Sequence, residues 1–504
     1  MVSTPNIRFV SNGFKVLSTY DIGFSSSTHS RLVVSGKYPK WQSILHLSPV
    51  TVGFLAAILF AIAVHKVDAD PSFVYSAWEP RVVNTISNSP ITFTSVVMGN
   101  PTSVAFVPKS GPAVPLISVG ENTYQMTLNA DDVLNGYKTG HGHHFIGFLE
   151  IVGNRSTQRR NVSVMVRDET MPSVQINAID QMAQMSKHIV NLRDDELWLS
   201  GLATPNVFHR FYSHFEDQFD FVAVVSQVNA GHNRGYAFVR NDINGIGVAA
   251  IDKGDTYGSA NRLQGFINYP IDSFFDLGET AASHEIGHKW AAFLDLPALD
   301  VPGPHWPVSD FAHGIMGFNL SGGAGGKFPW SFTDQPDGTF LVQLQRDAAK
   351  IDEFNDLELY LMGLLAPEEV FPGRVFLNQD QASQLFHGGI FEGPAALVTI
   401  DDIIDFHGPR SPAVGEAQTH FQLASIILSA DRLLTEDEMA FFDYMAARGE
   451  ARNELPFTSG RASGITKPFY LATRGLATLS TTIPESTTIL LLGISTLMVV
   501  YRRR

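Results

Sequence analysis

The chain contains no cysteine. Disulfides, thiolate catalysis and thiolate-bound zinc are therefore excluded. Positive charge is scarce too. Lys and Arg number 35 against 50 Asp and Glu, a formal net charge of -15. That balance argues against a nucleic-acid partner, because phosphate binding needs a basic face. No apolar run reaches the roughly 20 residues of a comfortable membrane span. There is no internal repeat and no nucleophile-elbow signature of a serine hydrolase. The glycine run Gly322–Gly326 follows no strand and opens no helix, so it is no phosphate cradle and reads as a rim or connector. What remains is a globular composition, 44% hydrophobic and 17% charged, in 504 residues. That length leaves room for two or three domains.

Both ends carry short apolar segments. Val50–Val64 (VTVGFLAAILFAIAV) is uncharged and follows Arg31, Lys37 and Lys40. It has the length of a signal-peptide core rather than a span. Val67-Asp68-Ala69 places small or aliphatic residues where a signal peptidase reads, so cleavage is expected after Ala69; an uncleaved N-terminal anchor is the alternative. A secreted eukaryotic chain of this size would usually carry disulfides, so export without cysteine points to a bacterial source. At the other end, Pro484-Glu485-Ser486-Thr487 precedes a short apolar stretch and Tyr501-Arg502-Arg503-Arg504. The arginines would stop on the cytoplasmic side of a membrane. This terminus resembles the PEP-CTERM sorting signals of Gram-negative bacteria, which are processed by an exosortase. Ser486 stands where their second proline would be. A plain C-terminal transmembrane anchor is the alternative. Either way, the body is expected outside the cytoplasm, secreted or attached to the envelope.

Between the ends, the expected divisions are a targeting region at 1–69, an all-β sandwich at 70–172, a catalytic domain at 173–475 and the sorting or anchor segment at 482–504. The sandwich would be an accessory domain or a propeptide. Its strands are signalled by Ile91–Val97, Phe145–Val152 and Val162–Arg167, punctuated by Gly, Pro, Asn and Ser. Asp168–Pro172 reads as a linker. Beyond it, 181–192 and 199–215 read as helices, and Phe219–Val228 as a buried strand. Strands are also expected at Gly235–Arg240, Gly245–Ile251 and, as a sheet edge ended by Pro270, Arg262–Tyr269. Residues 340–365 and 418–449 read as helical. The fold class expected is α+β.

The chemistry concentrates in Glu279–Leu294, which reads as one helix containing His284-Glu285-Ile286-Gly287-His288. Histidines four apart share a helix face, so both imidazoles reach one ion. Glu285 sits beside them, placed to hold a water rather than the metal. A catalytic zinc takes three protein ligands and keeps one position open. Two histidines are not enough. His305, in a Pro- and Gly-rich loop, is the first choice for the third ligand; His313, Asp295 and Glu358 are the alternatives. Tyr360 or His313 could stabilise an oxyanion. His141-Gly-His143-His144 reads as a loop entering a strand. Asp131-Asp132 and Asp252–Asp255 read as turns.

His284, Glu285 and His288 are the residues through which the chain resembles the zincin clan of metallopeptidases. That resemblance implies a mixed sheet above the active-site helix, with an edge strand that binds substrate in extended form. Gly314-Ile315-Met316-Gly317 is similar to the Met-turn of the metzincin branch, which makes Met316 a candidate for that role. Metzincins carry a glycine and then a third histidine downstream of the motif. Here those positions are Ala291 and Leu294, so the metzincin pattern is not followed. A helix-borne Glu358 ligand would be the gluzincin solution. Tyr257–Gly265 and Leu357–Leu364 are similar to segments of uncharacterised secreted bacterial HExxH proteins, over about residues 200 to 450. The implied function is an exported zinc metallopeptidase acting on peptides or proteins, with zinc as cofactor and Glu285 as general base. The rival readings are an inactive zincin-like surface or adhesion protein, and a zinc hydrolase of non-peptide bonds.

Overall fold

The computed structural model describes residues 70–134, 142–169, 171–194, 205–226, 234–319, 325–344, 352–430, 432–458 and 465–484, together with short strands before residue 47. The segments 50–64 and 485–504, on which the signal and anchor expectations rest, lie outside them. No helix among the described residues is long and apolar enough to cross a membrane. The chain is α+β, with many strands and few helices.

Residues 72–167 form two facing sheets. The first has four strands in the order Ser72–Glu79, Pro90–Met98, Thr123–Asn129, Ile117–Gly120. The second has five, with Gly142–Val152 paired antiparallel to Thr157–Arg167 at its middle. Alternate residues point inward, as in Pro90–Met98, where Ile91, Phe93 and Val97 are fully buried. They meet Phe106, Leu149, Ile151 and Val164 from the facing sheet in one apolar core. The face towards the rest of the chain is tied by ion pairs, Arg167 to Asp437 and Arg432 to Glu79. His143 stacks flat on Phe274 at 4.8 Å between ring centroids.

The second body is built on an eight-stranded mixed sheet. Val190–Arg193, His420–Ser429, Phe221–Ser226 and Gly265–Pro270 run parallel, and Gly235–Phe238 closes the edge antiparallel. Phe221–Ser226 is buried at every position. Its residues alternate between two cores, which explains its unbroken apolar run. Phe221, Ala223 and Val225 face the core that contains the HEIGH segment. Val222 and Val224 face the helix Pro205–Tyr212.

Several expectations change at this level. Residues 181–192 hold the strands Ala183–Met185 and Val190–Arg193, not a helix. Residues 418–429 form the central strand His420–Ser429, and the helix starts only at Glu436. Within 340–365, a strand Phe340–Leu344 precedes the helix Asp356–Met362. Within 245–251, only Ile251 enters a strand, Ile251–Asp252. The expected edge strand lies one place inside the sheet as Gly265–Pro270, because Gly235–Phe238 covers it. Packing continues past residue 475, where Thr478–Ser480 pairs with the start of the central strand.

Candidate metal centre

The helix that carries the motif is Thr280–Gly287, only eight residues. That is well below the roughly 12–15 residues a helix needs to persist alone in water. Packing therefore holds it. Ala282 and Ile286 are buried in the main core, and Ile286 is fully so. His288 caps the helix, and Ala292 then takes a left-handed φ of 68°, which turns the chain away. The helix expected to reach Leu294 thus ends at the second histidine. The buried Lys289 fastens this end by donating to the Arg240 carbonyl at 2.6 Å. Gly287 has a local reason: a Cβ there would lie 2.6 Å from Met316 Sδ and 2.8 Å from the Phe354 ring. Met316 is fully buried against the motif helix at that point.

His284, His288 and His305 converge. One ligand atom from each lies within 4.8 Å of the other two, and among the described residues this is the group of His, Asp and Glu that could hold a metal ion. Ring centroids are 4.8 Å apart for His284 and His288, 5.2 Å for His284 and His305, and 5.1 Å for His288 and His305. His305 reaches the site because its loop is pinned from both sides. Trp306 N–H donates to Gly317 O at 3.3 Å, and Asn319 N–H donates to Trp306 O at 2.8 Å.

The donor chemistry fits a cation. His284 Nδ1 donates to the Ile315 carbonyl at 2.8 Å, which leaves its Nε2 as a lone-pair donor. That Nε2 lies 3.3 Å from His305 Nε2. His288 adds a buried Nδ1 with no hydrogen-bond partner among the described residues. Burial lowers the pKa of His284, with Glu285 and the Ile315 carbonyl acting in the opposite sense. Burial also holds His288 well below the ordinary value, helped by the neighbouring His284 and His305. Neutral imidazole is the form that binds metal.

Glu285 projects beside this cluster, 4% exposed. Its Oε1 accepts from Arg234 Nε at 2.8 Å. A cleft of about 420 Å³ opens here, lined by His284, Arg234, Glu279, Thr280, Lys327 and Phe457 among others. Sequence reasoning missed Arg234, which lies 51 positions before Glu285 and in no motif. It stands at the start of the edge strand, so only the sheet order brings it to the motif helix.

The other candidates lie elsewhere. His313 gives its Nε2 to the Trp330 carbonyl. Asp295 is largely exposed and pairs with His407 at 3.3 Å. Glu358 is fully buried behind the His305 loop, where its oxygens accept from Trp306 Nε1 and the Asn355 backbone. Tyr360 OH accepts from the Arg410 backbone N–H at 3.1 Å, away from the cluster. Gly326 lines the cleft, while Gly322–Ala324 lies outside the described residues. Comparison of the chain with protein-family models, with curated proteins and with solved structures found no match to any of them.

Proposed function

We propose that the chain is an exported zinc-dependent metallopeptidase of the zincin type. The observation that carries this reading is the convergence of His284, His288 and His305, with His284 and the Arg234 that holds Glu285 lining an open cleft. Three imidazoles suit zinc, copper, iron or nickel, and a retained neighbouring carboxylate favours hydrolytic zinc among these. Zinc, when bound, would lower the pKa of a water and polarise a carbonyl. Glu285 is the proton carrier. Its Oε1 is held by Arg234, and its Oε2 has no protein partner among the described residues. A carboxylate so placed takes a proton from a water in the cleft and returns it to the leaving amine. The Ile315 carbonyl keeps His284 in the tautomer that presents Nε2. The mixed sheet supports the likeness to zincins, because its antiparallel edge strand Gly235–Phe238 packs on the motif helix. That edge is where an extended peptide would pair. Export, and processing by an exosortase at the C-terminus, rest on the sequence of the terminal segments.

The test is metal content and casein hydrolysis by the full chain and by Glu285→Gln. The expected result is about one zinc per chain in both proteins, with hydrolysis in the wild type alone. Zinc-free wild type overturns the metal site. Zinc-loaded wild type that cuts no peptide overturns the peptidase, in favour of the adhesion protein or a hydrolase of other bonds.

A further inference from the structure

Behind the cluster lies a carboxylate that the hydrolytic reading does not use. Glu358 is fully buried, on the first turn of the helix Asp356–Met362. It has no ion-pair partner among the described residues. Burial pushes its carboxyl pKa up from 4.5 to about 8, and the N–H groups around it act in the opposite sense. Here they come from three segments. Trp306 Nε1 donates to Oε1 at 2.8 Å. The Asn355 backbone N–H donates to Oε2 at 2.9 Å. The Met316 backbone N–H faces the carboxyl and favours its charged form. Asn355 also holds the neighbouring loop, donating its side-chain amide to the Phe311 and His313 carbonyls at 2.7 and 2.8 Å.

Two of these three N–H groups sit next to the centre. Trp306 directly follows His305. Met316 directly follows Ile315, whose carbonyl orients His284. Gly314 completes the fit. It has φ 110°, and a Cβ there would come within 3.0 Å of Glu358 Oε2. One side chain therefore sets the position of the loop that delivers His305 and of the carbonyl that aims His284.

We propose that Glu358 is a positioning residue for the metal centre, which tunes metal affinity by fixing His305 and His284 through Trp306 and the turn Gly314–Met316. It binds no metal itself. Groups that orient metal ligands from behind typically contribute about 10–100-fold in affinity. Glu358→Gln keeps the size and one acceptor, but it turns an amide N–H₂ towards backbone donors. Trp306→Phe removes only the indole donor and keeps most of the ring.

The inference rests on the reading that the three histidines bind a metal, so the test reads metal binding rather than hydrolysis. Zinc dissociation constants are measured by chelator competition on the full chain, and the visible absorption of the cobalt-substituted protein is recorded. Expected are a dissociation constant raised about 10–100-fold in Glu358→Gln, a smaller rise in Trp306→Phe, and altered cobalt bands in both. A merely structural role would leave the cobalt bands of folded protein unchanged. Wild-type affinity and bands in both variants overturn the proposal. Should Glu358→Gln not fold, Trp306→Phe decides it. If wild-type protein takes up neither zinc nor cobalt, the metal-site reading itself falls, and this inference with it.

Discussion

Arg234 donates its Nε proton to Oε1 of Glu285 at 2.8 Å, and this one bond orients the carboxylate that the proposed chemistry depends on. Glu285 is 4% exposed, so its side chain has little water to choose among rotamers with. Charge-assisted bonds of this kind are roughly twice as strong as neutral ones. The guanidinium sits across the Tyr269 ring at 5.9 Å, which limits its own movement. Arg234 therefore acts as a positioning residue for the general base.

Arg234→Ala is expected to keep bound zinc and to lower kcat about 10-fold or more, each tenfold corresponding to roughly 1.4 kcal/mol in the barrier. Arg234→Lys should recover part of the rate, since an ammonium can still pair with Glu285. Steady-state kinetics on casein, with metal content measured in parallel, read this. An unchanged kcat in Arg234→Ala would show that Glu285 needs no such support.

His305→Ala should lose metal while His313→Ala keeps it, because His313 spends its ring on the Trp330 carbonyl. The loss should exceed the about 10–100-fold that an outer-shell change costs. Atomic absorption after dialysis gives the answer. Zinc retained at one per chain in His305→Ala would remove His305 from the ligand set.

Gly287→Ala should destabilise the protein by about 1–3 kcal/mol, the usual cost of forcing a methyl into a packed core. The added Cβ meets Met316 Sδ at 2.6 Å and the Phe354 ring at 2.8 Å. Chemical denaturation of the metal-free protein reads the change without involving the zinc site. Wild-type stability would mean that Met316 and Phe354 can yield at no cost.

The junction between the sandwich and the second body should weaken in acid. Burial pushes the His143 pKa down from 6.5 to about 4, and the charges of His144 and Arg81 act in the same direction. His143 is therefore neutral in the fold but protonates near 6.5 once unfolded. Its contribution is complete above pH 6.5 and is lost as pH falls through about 4. His143→Phe keeps a ring to stack on Phe274 and removes the titration. Its stability should fall less than that of the wild type between pH 7 and 4.5 in urea denaturation. Equal losses in the two proteins would rule His143 out as the cause.

The elements that were legible in the sequence and those that were not differ in a consistent way. Phe221–Ser226 was readable as a buried strand because six residues in a row are apolar or small and turn signals bound the run. His420–Ser429 has the same character, yet it reads equally well as a helix. Periodicity cannot separate a fully buried strand from a buried helix. Its partners, Phe221–Ser226 on one side and Val190–Arg193 on the other, are far off in the chain and settle the matter. The motif helix was expected to run on through Trp290 and Leu294 because those residues repeat at helical spacing. Both are buried in the same core, but Trp290 lies past the helix end at Gly287 and Leu294 past the left-handed turn at Ala292.

The pair His284 and His288 needed no tertiary information. Four residues of helix put two rings on one face, and that follows from helical geometry alone. Glu285 is placed by the same geometry. The rest depends on contacts that no local rule encodes. His305 joins the cluster only because its loop is tied to Gly317 and Asn319. Arg234 reaches Glu285 only because an antiparallel strand closes the sheet beside the motif helix. Glu358 lies behind the ligands, and not among them, because Trp306 and Asn355 take up its oxygens. Short-range spacing thus determines which side chains share a face of one helix. Long-range packing decides which of the remaining histidines, arginines and carboxylates meet them, since those distances are set by sheet order and loop pinning.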